Sequence, residues 1–168
     1  MSKKWESINV YRLNLELDKE TQVPVEAAVH KPEDAKDIVN LVLDLNNSAV
    51  EKFGFIAFDK YRKVIGVHIT AVGRCNSVQV DETEFFVTAA FYRAHGIILF
   101  HNHPGESVEP SMSDIIFTQK LIDRGVDFSI PVYDHIIVGR ENYYSMFEND
   151  DCEFPPPKMG IPVSDIWT

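Results

Sequence analysis

Cysteine is scarce: two residues in 168, Cys75 and Cys152, far apart in the chain. They form no CxxC pair and no disulfide framework of the kind that holds small secreted scaffolds together, so two idle thiols are expected. Basic charge is also short, with 16 Lys and Arg against 26 Asp and Glu and a formal net charge of −10. That deficit speaks against tight nonspecific nucleic-acid binding, which depends on neutralising phosphates. No apolar run approaches the ~18–20 residues needed to span a bilayer, so no membrane association is expected. The opening residues carry two lysines and then polar side chains without the apolar core of a secretory signal, which points to the cytoplasm. A Gly-rich phosphate loop, a Gly-x-Ser-x-Gly elbow and internal repeats are all missing.

What is present is an ordinary globular composition, 45% hydrophobic and 25% charged. The length suits one compact domain. Leu13, Leu15 and Leu17 alternate with polar residues and read as a half-buried strand, with residues 23–29 returning as an edge strand around Pro24. Residues 1–31 are therefore expected as an N-terminal hairpin extension. Residues 32–47 read as a helix, with Pro32, Glu33 and Asp34 in its first turn and Ile38, Leu41, Val42 and Leu45 at helical spacing. Residues 53–58 and 64–72 read as strands, and 81–94 as a helix opened by Asp81 with Glu84 three residues on. Residues 97–100, wholly apolar, form a strand covered on both faces. Residues 111–124 form a helix closed by Gly125, and 128–130, 135–138 and 143–147 complete the strands. Alternating strands and helices predict an α/β fold, a mixed β-sheet flanked by helices, over residues 32–149. Residues 150–168, with Pro155, Pro156 and Pro157, are expected as an extended tail pinned by Trp167.

The chemistry concentrates where the apolar strand ends. His101 and His103 are two apart, so an extended backbone projects both to one face. Asp114 falls in the first turn of the following helix, where the dipole favours an ionised carboxylate. Two imidazoles and one carboxylate, with a fourth position left to water, match a catalytic zinc site. Each residue also has a plainer reading: a hydrogen-bonded histidine at a strand end, or an Asp that caps a helix. Ser111 is equally suited to capping that helix and to donating a hydrogen bond to a reacting oxyanion.

The order His101-x-His103-Pro104, six residues, Ser111, two residues, Asp114 resembles the JAMM motif of the MPN-type metalloproteases. More narrowly, His101 to Pro104, Pro110-Ser111 and the later run from Asp134 to Gly139 resemble the RadC family of bacterial JAMM-domain proteins, with weaker similarity over residues 73–80 and 84–86. The resemblance covers roughly residues 35–148. It implies a cytidine-deaminase-like architecture and one Zn2+ per chain held by His101, His103 and Asp114. It also implies a glutamate acting on the metal's water; Glu51 fits that place and Glu84 competes for it. Asp134 and His135 are readable as a carboxylate–imidazole pair orienting a ligand, or as a structural hydrogen bond. The family pattern departs at Gly105-Glu106-Ser107, which replaces the usual Ser-Gly, and at Glu82-Thr83-Glu84, where an Arg is lost. These departures suggest a divergent paralogue, such as one carried on a mobile element.

The expected function is metal-assisted hydrolysis of an amide or isopeptide bond in a peptide or protein substrate. The alternative is a non-catalytic metal-binding accessory module linked to DNA repair or mobile-element metabolism, nucleic acid entering by family association alone. A zinc cytidine deaminase is excluded because it needs His-x-Glu and Pro-Cys-x-x-Cys. An HNH nuclease spreads its motif along a ββα unit, whereas His101, Asn102 and His103 are consecutive.

Overall fold

A computed structural model describes residues 27–73, 81–105 and 107–155. The expected leucine-alternating strand, most of the returning strand, Cys75 and Trp167 lie outside them. Three α-helices and five strands are found among these residues: α1 (Pro32–Leu43), β1 (Lys52–Phe58), β2 (Val64–Val72), α2 (Glu82–Phe91), β3 (Gly96–Asn102), α3 (Met112–Asp127), β4 (Val132–Val138) and β5 (Tyr143–Ser145). The sheet order is β2-β1-β3-β4-β5. β3 and β4 run parallel, joined across α3, and every other neighbouring pair is antiparallel. The expected mixed sheet between helices is the observed fold.

Strand periodicity divides the core. Even positions Ile56, Phe58, Ile98, Phe100, Ile136 and Val138 pack on one face with Ala35, Ile38, Val39 and Leu45. Odd positions Phe53, Phe55, Ile97 and Leu99 pack on the other face with Phe85, Phe86 and Ala89 of α2 and Leu121 and Ile122 of α3. Side chains alternate across a strand, so the row Ile97, Leu99 must continue at His101 on the α2/α3 face. β1 fits tightly against its neighbours at Gly54, where a Cβ would sit 2.0 Å from the His68 carbonyl oxygen and 2.7 Å from the Phe100 ring.

Several elements differ from the sequence expectation: α2 ends at Phe91, β3 and β4 are longer than expected at Gly96–Asn102 and Val132–Val138, and the strand expected at 128–130 is absent from the described residues. α1 stops at Leu43 because Asp44 is left-handed (φ 50°), and Leu45–Asn47 form a separate 3-10 turn. α3 runs through Gly125 to Asp127, so that glycine is an interior packing position and not a cap. A Cβ there would lie 2.7 Å from the Ile130 carbonyl oxygen of the returning chain. Residues 128–130 make the turn itself, with Ser129 left-handed at φ 57°. β5 ends at Ser145, two residues early, where the chain turns to bond Met146 N–H to the His135 carbonyl (3.1 Å).

The first residues of the described chain pair with the start of β2 through Ala28 and Lys63. At the other end, the Cys152 thiol donates to the Ile115 carbonyl (3.6 Å), and Phe154 packs against Phe147 and the odd-face core. Burial pushes the Cys152 thiol up to about 11, in keeping with an idle sulfur. No helix among the described residues is long and apolar enough to cross a membrane.

Candidate metal centre

β3 carries two hydrophilic side chains at its end because the ladder continues past its apolar stretch. His101 pairs with Phe53 of β1, and the His103 amide donates to the Val138 carbonyl (3.0 Å). The backbone therefore stays extended through His103, and both imidazoles face the same side. Their Nε2 atoms are 3.0 Å apart. That is close to the ~3.3 Å edge of a tetrahedron built on bonds of ~2.0–2.1 Å.

α3 supplies the carboxylate. Its N-terminus is a capping box in which the Ser111 hydroxyl accepts from the Asp114 amide, and Asp114 Oδ2 accepts from the Ser111 amide (2.8 Å) and hydroxyl (2.6 Å). Oδ2 is thereby occupied. Oδ1 lies 4.0 Å from His101 Nε2, and Oδ2 the same distance from His103 Nε2. His101, His103 and Asp114 form the one group of potential metal ligands found among the described residues, with donor atoms within 4.8 Å of one another. Side-chain exposure rises from 1% at His101 through 15% at Asp114 to 24% at His103, so the group opens to solvent on one side.

The donor chemistry fits a cation. His103 Nδ1 lies 3.0 Å from the Ser107 carbonyl, which can only accept, so Nδ1 bears the proton and Nε2 presents its lone pair. Burial, outweighing the attraction of Asp114, lowers His101 to about 4, so this ring is neutral at physiological pH. Two imidazole Nε2 atoms and a carboxylate oxygen, Oδ1, that is not engaged by the Ser111 cap make a donor set that suits a divalent ion.

Around these three, the other expected residues take distinct places. Asp134 and His135 are adjacent on β4 and therefore point to opposite faces; they are not a pair acting together on a ligand. His135 lies on the α3 side, with Nε2 2.8 Å from His101 Nδ1. Asp134 lies on the α1 side and accepts from the His135 amide (2.7 Å), the Ser145 hydroxyl (2.7 Å) and the Phe147 amide (2.9 Å). Desolvation pushes the Asp134 carboxyl up to about 7 in spite of those three donors. Ser111 is the cap and holds Asp114. Glu51 immediately precedes β1, half-buried, two residues before Phe53, the β1 partner of His101. It is not one of the grouped ligands. Glu84 sits in the first turn of α2, and its side chain is outside the described residues.

Two residues escaped the sequence reading. Asn102 is buried, accepts from the Lys52 amide (2.8 Å) and donates to the carbonyls of Ser48 (3.2 Å) and Val50 (3.3 Å), clamping the segment that carries Glu51. Thr118, fully buried, meets His135 Nδ1 at 2.5 Å. Its position four residues after Asp114 was the available signal, since that spacing shares a helix face.

A mixed α/β sheet bearing His-x-His at a strand end and Asp in the next helix's first turn defines a JAMM-type domain. Residues 29–151 match the family model described as the RadC-like JAB domain, and the chain belongs to that family. It is 32% identical over 108 residues to a UPF0758 protein of Thermosynechococcus vestitus (64% of this chain, 43% of that one). It is 30% identical over 132 residues to one from Methanosarcina barkeri (78% and 58%), and 35% over 114 residues to one from Desulfitobacterium hafniense (67% and 50%). The chain thus spans about half the length of the curated relatives it matches.

Proposed function

We propose that this protein is a zinc-dependent hydrolase of the JAMM type that cleaves an amide or isopeptide bond in a peptide or protein substrate, working in the cytoplasm. The observation that carries the reading is the gathering of His101, His103 and Asp114 at the open end of the sheet, with donor atoms within 4.8 Å of one another and the two Nε2 atoms 3.0 Å apart. A divalent cation held there supplies Lewis-acid polarisation of a carbonyl and a water of lowered pKa.

The chain's own residues divide the remaining work. Ser111 fixes the Asp114 carboxylate and leaves Oδ1 for the ion. Glu51, held in place by Asn102 through its neighbours, is the base that takes the proton of the attacking water and returns it to the leaving amine. For Ser111 to steady the oxyanion as well, its hydroxyl must turn from Asp114 Oδ2 toward the substrate.

The test compares two substitutions in purified protein. His101→Ala is expected to abolish stoichiometric zinc by elemental analysis. Glu51→Gln is expected to keep zinc and folding while lowering hydrolysis of a peptide or isopeptide library at least ~100-fold, the scale of a lost general base. An unchanged rate reassigns the base. A wild type that binds zinc but cleaves nothing leaves the accessory-module reading.

A further inference from the structure

We infer that Thr118 and His135 are positioning residues for the metal centre, forming with His101 a hydrogen-bond chain whose direction reverses when a cation binds. The inference rests on the metal-site reading above and goes beyond its three ligands.

The chain runs Thr118 Oγ1, His135 Nδ1, His135 Nε2, His101 Nδ1, His101 Nε2, with contacts of 2.5 Å and 2.8 Å at its two links. Thr118, His135 and His101 are each no more than 1% exposed, so water does not substitute for a missing partner. Every neutral imidazole has one donor and one acceptor nitrogen, and only two arrangements satisfy both links. In the first, the Thr118 hydroxyl donates to His135 Nδ1, His135 Nε2–H donates to His101 Nδ1, and His101 Nε2–H points at the His103 Nε2 lone pair 3.0 Å away. In the second, His101 Nδ1–H donates to His135 Nε2, His135 Nδ1–H donates to Thr118 Oγ1, and the Thr118 hydroxyl turns to the Met146 sulfur 3.6 Å away. The second arrangement leaves the His101 Nε2 lone pair free.

A cation at the site selects the second arrangement, because only there can His101 coordinate. Each ring keeps one proton and changes the nitrogen that bears it, so the net proton count of the pair is unchanged. Thr118 makes the reversal possible, since a rotatable hydroxyl both donates and accepts. The first arrangement satisfies the site without metal, and the second satisfies it with metal. A group hydrogen-bonded behind a ligating histidine typically alters metal affinity ~10–100-fold when removed.

The experiment uses the full chain with Zn2+ as probe. Side-chain 15N–1H correlation spectra are expected to show His101 and His135 protonated at Nε2 in the chelator-treated protein and at Nδ1 after one equivalent of zinc. Thr118→Val is expected to bind zinc ~10–100-fold more weakly in a chelator competition, and Thr118→Ser to restore affinity to within about threefold. Because the spectra need no substitution, they decide the matter even where Thr118→Val does not fold. A zinc-loaded wild type with His135 still protonated at Nε2, or Thr118→Val with wild-type affinity, overturns this inference alone. A wild type that takes up no zinc overturns the metal reading and this inference with it.

Discussion

At the scale of single residues, neighbours on a strand have opposite fates. His135 points to the side of His101, and burial holds its imidazole well below the usual histidine range. Asp134 points to the α1 side and anchors the turn after β5 through Ser145 and Phe147. Its carboxyl is raised to about 7, well above its unfolded value of 3.8. Between those values the native state holds a proton that the unfolded chain has released, so this group's stabilisation is complete below about pH 4 and is lost as pH rises through about 7. Relative to Asp134→Asn, the wild type should therefore lose stability across that window, by up to about 1.4 kcal/mol per pH unit. Buried histidines titrate in the opposite sense over part of the same range, and comparing the two proteins removes their contribution. Urea midpoints with chelator present, at several pH values from 4.5 to 7.5, measure the difference; parallel profiles would show that Asp134 is ionised in the native state.

At the scale of elements, close backbone approach decides how strands and helices meet. Gly54 lets β1 lie against both the His68 carbonyl of β2 and the Phe100 ring of β3. Gly54→Ala should cost about 2–3 kcal/mol, the upper range for overpacking, because the nearest obstacle is backbone and cannot rotate away. The same substitution adjoins Phe53, the partner of His101, so zinc affinity should fall together with the urea midpoint. A wild-type midpoint would mean that β1 and β2 separate freely. Gly125 shows why a glycine is ambiguous in a sequence. Its usual meaning near a helix end is a left-handed cap, yet here the helix continues and the glycine makes room for the Ile130 carbonyl. Local chemistry cannot distinguish these uses, because the second depends on a segment that folds back from beyond the helix.

At the scale of the whole molecule, the sheet carries a core on each face, and the candidate ligand group His101, His103 and Asp114 lies at the end of β3 beside the α2/α3 core. A cation held by His101, His103 and Asp114 would tie the end of β3 to the start of α3, elements that otherwise meet through packing. A ligand bound to the native state alone adds RT ln(1 + [L]/Kd), about 2.7 kcal/mol at a hundred times Kd. For a domain of this size that is a rise of about 5–10 °C in Tm. Differential scanning calorimetry should show the rise in wild type, its reversal by chelator, and no response in His101→Ala. A melting temperature indifferent to zinc would mean that the three side chains do not share an ion in solution.

Residue order alone determined the alternation of strands and helices, the two-residue spacing of His101 and His103, and the placing of Asp114 in a first helical turn, because these depend on backbone periodicity and local capping. Tertiary structure alone decided which helices cover each face of the sheet. It brought Thr118, His135 and His101 into one chain, assigned Asp134 to the opposite side, and placed Asn102 behind Glu51. The contacts of the Thr118–His135–His101 chain and of Asn102 join residues 17 to 54 positions apart. Sheet register and helix docking set such distances, and both are properties of the packed molecule that no local stretch of chain contains.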